Sequence, residues 1–178
     1  MDPSRLTRTV RPGDLTKKER YQLLTSLVIP RPIGWISTVS SEGLANLAPY
    51  SFFAALSASP PMLGVSIGLR RGEPKDTLRN IRDTSVFAMN LCSEDLLEAM
   101  NATSGEFDRS VDEFEVAGLT AEAGKVTATP VVGEAKAVLE CVLFREVDLG
   151  AAPNVLVIGE VKAVRLSQDL EVDPDNWA

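Results

Sequence analysis

The chain of 178 residues contains no histidine. This absence excludes Ser-His-Asp and Cys-His catalysis, and every zinc, copper or haem site that needs an imidazole ligand. There are only two cysteines, Cys92 and Cys141, so neither a CxxC redox pair nor a four-cysteine metal site exists. We predict no metal site. Two such thiols are typical of small buried side chains in a reducing cytosol, and we expect a cytoplasmic protein, although a disulfide between them stays open.

Basic residues are scarce in the second half of the chain. The net charge is −7, which argues against a nucleic-acid partner, because phosphate backbones need a cationic face. Residues 1–92 nevertheless carry twelve basic and seven acidic side chains, whereas residues 93–178 carry six and eighteen. Five of the cations crowd into thirteen positions: Arg70, Arg71, Lys75, Arg79 and Arg82. They indicate either a solvated helix face or a site for a small anion such as a phosphate ester.

The stretch from Gly43 to Leu69 has no charged residue and is long enough to cross a bilayer. Pro60 and Pro61 would break a helix there, and Asn46 and several serines would be costly in lipid. We therefore expect no membrane span, but buried extended structure covered by the core or by a partner subunit. The first fourteen residues lack the apolar core of a signal peptide.

Short helices and strands alternate without a βαβ period, and no GxGxxG or GxxxxGK[ST] motif occurs. A capping box at Thr16 predicts a helix that stops before Pro30, and a second helix begins at Asp76 or Thr77 as N-cap. Further predictions are a helix over 93–102, an irregular acidic segment over 103–118, a turn at 40–43, and strands over 33–39, 44–48, 52–53, 62–67, 85–91, 135–147 and 155–166. The pattern predicts one mainly β domain over 1–178, an antiparallel barrel with short peripheral helices.

Three segments carry polar groups inside apolar surroundings: RPIGWIST at 31–38, NLAPYSFF at 46–53 and KDTLRNI at 75–81. Helix amides and a lysine favour a phosphate dianion, hydroxyls saturate its oxygens, and aromatic side chains form an apolar slot for a flat ring. Each segment also has an ordinary structural interpretation. The aromatic residues are as readily core, and the hydroxyls as readily bond to the backbone. Asn46 is the hardest to explain this way, since an amide in an uncharged stretch needs a partner.

These segments, with PPMLGVSIG and VFAMNL between and after them, closely resemble the flavin reductase-like family of FMN-binding split-barrel proteins. The resemblance covers about residues 20–166. It implies a Greek-key split barrel that works as a homodimer and holds FMN non-covalently near the subunit interface. It also implies that no side chain acts as a catalytic residue, since the chemistry belongs mainly to the cofactor.

The resemblance implies a cofactor site drawn from all three segments. Its first strand would lie against the flavin ring, the second segment would line the ring edge and the ribityl chain, and the helix start would hold the phosphate. The residues concerned are Arg31, Trp35, Ile36, Ser37, Thr38, Asn46, Ala48, Pro49, Ser51, Phe52, Phe53, Lys75, Asp76, Thr77 and Asn80.

The implied activity is reduction of bound flavin by NADH or NADPH, followed by electron transfer to free flavin, a monooxygenase partner or another acceptor. Many relatives carry a histidine near the strand at 155–166, where this chain has Arg165. Two alternatives therefore stay open: a flavoredoxin-like FMN electron carrier that does not oxidise nicotinamide, and a binding module without a cofactor.

Overall fold

A computed structural model describes residues 8–150 and 154–170, which divide into two compact units with the boundary after Arg31. In the first unit, a 3₁₀ turn at Pro12–Asp14 precedes helix α1 (Lys17–Leu27). The predicted capping box is confirmed: the Thr16 hydroxyl accepts from the Glu19 amide, and the Glu19 carboxylate accepts from the Thr16 amide. Arg31 follows the helix and donates to two carbonyls at its C-terminal end, those of Thr25 in the last turn and of the C-cap Val28.

The second unit is built on a seven-stranded antiparallel sheet with short helices. Its helices are α2 (Asp76–Thr84), α3 (Leu97–Ala102) and α4 (Glu113–Ala117). Its strands are β1 (Gly34–Val39), β2 (Ala45–Tyr50), β3 (Phe53–Ala58), β4 (Pro61–Ile67), β5 (Leu69–Arg70), β6 (Glu73–Pro74), β7 (Val86–Asn90), β8 (Ala121–Ala123), β9 (Pro130–Val132), β10 (Ala137–Asp148) and β11 (Val155–Leu166). The main sheet runs β2-β1-β7-β10-β11-β4-β3, and β5-β6 and β8-β9 form two small pairs.

The β1–β2 hairpin shows how the sequence specifies register. Gly34 lies opposite Tyr50 and Val39 opposite Ala45, joined through the predicted turn at 40–43. Gly43 adopts a φ of +85°, a conformation that favours glycine. A Cβ on Gly34 would collide with the Phe53 ring, so this position needs a residue without a side chain. Strand β2 of this hairpin carries the first residues of the second motif, from Asn46 to Tyr50.

Helix α2 begins one or two residues earlier than the two predicted N-caps would place it. Its N-cap is Lys75, not Asp76 or Thr77, and no side chain caps the helix. The predicted caps make tertiary contacts instead, since Thr77 bonds to Asn46 and Asp76 pairs with Arg70. The helix buries Leu78 and one further apolar side chain against the sheet, which fixes the direction in which its first turn points.

The buried apolar side chains form two clusters, one that includes Phe87 and one that includes Trp35. A Cβ on Gly159 would overlap the Phe87 ring, so β11 approaches β7 closely at that point. The uncharged stretch from 43 to 69 divides: β2 and β4 are largely buried, whereas β3 is mostly exposed. Among the described residues, no helix has the length and apolar character that crossing a membrane requires.

The remaining differences from the sequence prediction are small. The segment 103–118 contains the short helix α4, and the pairs β5–β6 and β8–β9 were not expected. The predicted helix over 93–102 is a 3₁₀ turn followed by α3. Cys92 and Cys141 are both free, and only Cys141 is fully buried. Part of the predicted turn between the last two strands, at 151–153, lies outside the described residues.

Candidate functional site

A cleft of about 170 Å³ opens where strand β2, the start of α2, the loop 103–107 and helix α4 meet. Two of the three chemistry-bearing motifs, 46–53 and 75–81, reach it. Its lining residues are Asn46, Ala48, Pro49, Arg70, Lys75, Asp76, Thr77, Thr103, Ser104, Gly105, Glu106, Phe107 and Glu113. The loop is held over the cleft by two hydrogen bonds. The Trp35 indole donates to the Thr103 hydroxyl at 2.9 Å, and Arg70 donates to the Phe107 carbonyl at 2.8 Å.

Four of the five crowded cations are already paired with carboxylates. Arg70 lies 3.4 Å from Asp76, and the other three pair as Arg71–Glu106, Arg79–Glu73 and Arg82–Glu146. Lys75 differs: within the described part of the chain, no carboxylate lies within 4 Å of its ammonium group, which sits 5.5 Å from the centre of the Tyr50 ring. Of the two cations that line the cleft, Arg70 is paired with Asp76, whereas the charge of Lys75 is available to bind an anionic ligand.

The start of α2 adds hydrogen-bond donors to that charge. No side chain caps this helix, so the amides of its first turn are left without the intrahelical acceptors that later amides have. The helix dipole places partial positive charge at the same point. A cation at a helix start is unfavourable unless an anion lies nearby, and Asp76 already pairs with Arg70. Lys75 and these amides together have the chemistry of a phosphate site.

A chain of buried hydrogen bonds runs beneath the cleft. The Tyr50 hydroxyl donates to the Thr77 hydroxyl at 2.9 Å, which donates to Asn46 Oδ1 at 2.8 Å. The Asn46 Nδ2 group donates to Glu113 Oε1 at 2.8 Å, and the Leu47 amide donates to Glu113 Oε2 at 3.1 Å. The expectation that Asn46 needs partners is confirmed. The network ties β2, α2 and α4 into one wall.

Burial changes the pKa values of the titratable side chains in this wall. Desolvation is the main reason that the pKa of Glu113 is raised, while the donors from Leu47 and Asn46 oppose the rise. Desolvation also raises the pKa of Tyr50, so its hydroxyl remains a donor at all ordinary pH values. The lining of the cleft therefore combines a cation that has no carboxylate within 4 Å in the described residues with a buried carboxyl group.

The structure brings six of the predicted cofactor residues to the cleft: Asn46, Ala48, Pro49, Lys75, Asp76 and Thr77. Thr38 and Asn80 lie one layer deeper. The Asn80 Nδ2 group donates to Thr38, whose hydroxyl donates to Asn46, and Asn80 Oδ1 is buried without a partner in the described residues. These two side chains support the wall from behind.

The other predicted residues stand outside the cleft. Trp35 and Ile36 are fully buried in the core, and Ser37 accepts a hydrogen bond from Asn90. Ser51 is half-buried and Phe52 is more exposed; the Phe53 ring packs on Gly34. Arg31 belongs to the first unit, where it bonds to helix carbonyls.

Sequence reasoning missed the loop 103–107, Arg70 as its anchor, and Glu113. These positions fall in or next to segments that looked irregular, where no periodic pattern marks a function. The sequence feature that could have marked this loop is Gly105, at a position where the structure leaves no room for a Cβ beside the Phe107 ring. Asn46 and Glu113 are far apart in sequence, and only the fold joins them.

Comparison with known proteins shows which family the chain belongs to. The model of the flavin reductase-like domain matches residues 26–177. The chain belongs to that family. The expected family is thus confirmed, and with it the antiparallel split-barrel fold.

Three solved structures are similar over most of their length. Component B of nitrilotriacetate monooxygenase from Bacillus cereus superposes with a TM-score of 0.90 at 35% identity, covering 94% of this chain and 85% of that one. The 2-nitrobenzoate 2-nitroreductase NbaA of Pseudomonas fluorescens gives 0.85 at 29% identity, with 96% and 82% covered. A structure with a split barrel domain from Shewanella frigidimarina NCIMB 400 gives 0.80 at 28% identity, with 92% and 80% covered. Flavin-related oxidoreductase chemistry is what this family has in common.

Proposed function

We propose that this protein binds FMN non-covalently and passes electrons from NADH or NADPH, through the bound flavin, to free flavin or another acceptor. The observation that carries the proposal is Lys75, an ammonium group without a carboxylate partner in the described residues, at an uncapped helix start inside the cleft. A flavin mononucleotide presents a phosphate that suits Lys75 and the helix start, and a ring that would lie on the few apolar side chains of a mainly polar cleft, Ala48, Pro49 and Phe107. FMN, when bound, supplies the hydride and electron chemistry.

The chain's own residues would bind and orient the cofactor. Lys75 and the first amides of α2 would hold the phosphate. We extend this role to the half-buried Ser51 from the resemblance, since it lies outside the cleft of the single chain. Ala48 and Pro49 give the ring an apolar surface, and Asn46 offers an amide to its polar edge. The loop 103–107, which lines the cleft, would exclude part of the water around a bound ligand and so strengthen its electrostatic contacts.

The remaining predicted residues would act less directly. The backbone of the first and second motifs would pass beneath the ring, and the side chains behind the cleft would brace its wall. The first group is Trp35, Ile36, Ser37, Phe52 and Phe53, and the second is Thr38 and Asn80. Asp76 and Thr77 line the cleft itself, where Asp76 would hold Arg70 in place and Thr77 would hold Asn46. Arg31 stays a proposal from the resemblance alone.

The cleft of a single chain is small for a complete cofactor. Its volume of about 170 Å³ lies below the roughly 300–1,000 Å³ of ordinary ligand sites. One chain would therefore enclose part of the ligand, and a second copy of this chain would cover the rest. The proposed homodimer agrees with strand β3, an edge strand whose residues 54–58 are exposed. It also agrees with an apolar groove of about 390 Å³ between Ala55 of β3 and Val161 of β11.

Anaerobic mixing tests the proposal directly. The purified protein is loaded with FMN and mixed with NADH or NADPH, and the visible absorbance of the flavin is followed. Loss of that absorbance with either nucleotide is the expected result. No loss with either, despite tight FMN binding, contradicts nicotinamide oxidation.

A flavoredoxin-like electron carrier is the second candidate, and one observation favours it. Arg165 stands in the region where many relatives carry a histidine, and its guanidinium donates to Glu122 and to the carbonyls of residues 132, 133 and 135. These bonds hold it within the fold and away from a role in binding nicotinamide. Full FMN binding with negligible NAD(P)H oxidation would support this candidate. Failure to take up FMN at all would leave only the binding module.

Electron delivery to a monooxygenase belongs to the same proposal. The similar protein from Bacillus cereus is a monooxygenase component, and it matches this chain over most of both lengths. A protein acceptor of that kind would receive its electrons from the same bound flavin.

A further inference from the structure

We propose that Glu113 is a positioning residue of the cofactor site: it turns the Asn46 amide so that one N–H remains directed to a ligand. The inference rests on the proposed function, because the ligand it serves is the flavin. It goes beyond that function in adding a residue from helix α4 that was not among the expected cofactor-binding residues.

Glu113 is the single charged member of the buried network that it forms with Asn46, Thr77 and Tyr50. It is only 8% exposed, and the described residues place no cation within 4 Å of it. Two donors face it, Asn46 Nδ2 and the Leu47 amide, and no acceptor does among the described side chains. This is the pattern of an ionised carboxylate, which accepts hydrogen bonds and donates none.

An acceptor at this point sets the direction of the bonds that run from Asn46 through Thr77 to Tyr50, and it agrees with Thr38, which donates to the same Asn46 oxygen. Because Glu113 accepts, Asn46 must present its nitrogen to α4 and its oxygen to α2. Thr77 must then donate to Asn46, which leaves its lone pairs to accept from Tyr50. An asparagine without such a partner is free to exchange its oxygen and nitrogen by a half-turn. Glu113 removes that freedom.

The side-chain amide of Asn46 has a second N–H donor besides the one that it directs to Glu113. The Asn46 amide nitrogen carries two N–H groups, and Glu113 is its one acceptor within the described part of the chain. Asn46 also lines the cleft. The second N–H is therefore available to a ligand with carbonyl or ring-nitrogen acceptors, such as the pyrimidine edge of a flavin. If the amide were reversed, the same position would offer an oxygen, which repels those acceptors.

Other charged groups face this carboxyl from the neighbouring elements. They are Asp112, which is the residue before it, Tyr50 on β2, and four groups that line the same cleft: Arg70 on β5, Lys75 and Asp76 at the start of α2, and Glu106 in the loop. Arg70 with Asp76 and Arg71 with Glu106 are mutually paired, so the local balance lies between Lys75 and Glu113. The test below is run at constant pH so that solution conditions change none of these charges between variants.

The test uses four full-length proteins: wild type, Glu113→Gln, Asn46→Asp and the double variant. In Glu113→Gln the new amide nitrogen must face one of the two donors, and in Asn46→Asp two carboxylates face each other, so both single variants lose stability. In the double variant the introduced glutamine donates to the introduced aspartate while its oxygen still accepts from the Leu47 amide, so the network closes again. Thermal unfolding should show the double variant recovering most of the stability that each single variant loses.

Flavin affinity should behave differently from stability. FMN and riboflavin, titrated by flavin fluorescence, should each bind Glu113→Gln at least tenfold more weakly, because the amide is no longer fixed. The double variant should stay weak for both ligands, since a carboxylate in place of the Asn46 amide has no N–H to offer.

Three outcomes would count against the inference. Recovery of affinity together with stability in the double variant would make Glu113 a merely structural residue and overturn the proposal. Wild-type affinity in Glu113→Gln would overturn it as well. If the wild type itself binds neither flavin, the proposed function fails first, and this inference with it.

Discussion

Replacing Lys75 by methionine probes the proposed phosphate site most sharply. Methionine keeps the apolar stem but removes the ammonium group that lies 5.5 Å from the Tyr50 ring centre and has no carboxylate partner among the described residues. A charge-assisted hydrogen bond contributes about 1.5–3 kcal/mol. We therefore expect FMN to bind Lys75→Met about 10- to 150-fold more weakly than the wild type.

Two comparisons isolate the phosphate. Riboflavin has the same ring and no phosphate, so its affinity should change less than about twofold, well under 1.4 kcal/mol. Arg79→Met removes a cation from the same helix whose guanidinium already pairs with Glu73, and FMN affinity should be unaffected. The loss in Lys75→Met should shrink as salt is added, because the partly exposed contact is screened.

Isothermal titration of both ligands into the three proteins measures these effects. Losing the contact with the Tyr50 ring costs about 0.5–1 kcal/mol of folding stability, which thermal unfolding records separately. Equal losses for FMN and riboflavin would show that Lys75 shapes the cleft and does not bind the phosphate. Unchanged FMN affinity in Lys75→Met would move the phosphate elsewhere and refute the reasoning.

Ser51, Ala55 and Glu140 offer three further tests. Ser51→Ala should weaken FMN binding by about 1–3 kcal/mol and leave riboflavin binding unchanged, as measured in the same titrations. Ala55→Glu places a charge in the apolar groove, so sedimentation should show dimers falling to monomers; an unchanged dimer would put the interface on another surface. Burial opposes ionisation of Glu140, but three backbone amides and the Thr127 hydroxyl outweigh it, so its pKa is lowered. Because its pKa is lowered in the folded protein, the ionised Glu140 stabilises the fold at pH values above its unfolded pKa of about 4.3, and this stabilisation is lost as the pH falls through the folded pKa. Glu140→Gln should therefore lower the free energy of unfolding, measured by urea denaturation, by about 2–3 kcal/mol at pH 7 and by progressively less below about pH 4.

Sequence patterns predicted the frame of the fold because each long element has a local cause. The β1–β2 hairpin has apolar strands around a glycine turn, and the strand predicted over 155–166 is found with the same ends. The short pairs β5–β6 and β8–β9 have only two or three residues per strand, too few for any periodicity to be read. They form because the surrounding chain brings them together.

The site was predicted in part for the same reason. Lys75 and Asn46 were singled out because a cation at a helix start and an amide in an uncharged stretch both demand partners. Glu113 looked like one more acid in a solvated segment, and only the docking of α4 on β2 brings it to Asn46. The predicted N-cap of α2 was wrong because Asp76 and Thr77 make tertiary contacts that outweigh their local capping preference.

A crystal structure of the protein with FMN tests the central claim most directly. The account predicts the phosphate within hydrogen-bond distance of the Lys75 ammonium group and the first amides of α2, with the ring against Ala48 and Pro49. Electron density that places the phosphate away from the start of α2 would contradict it, and so would a ring bound outside the cleft between β2 and the loop 103–107.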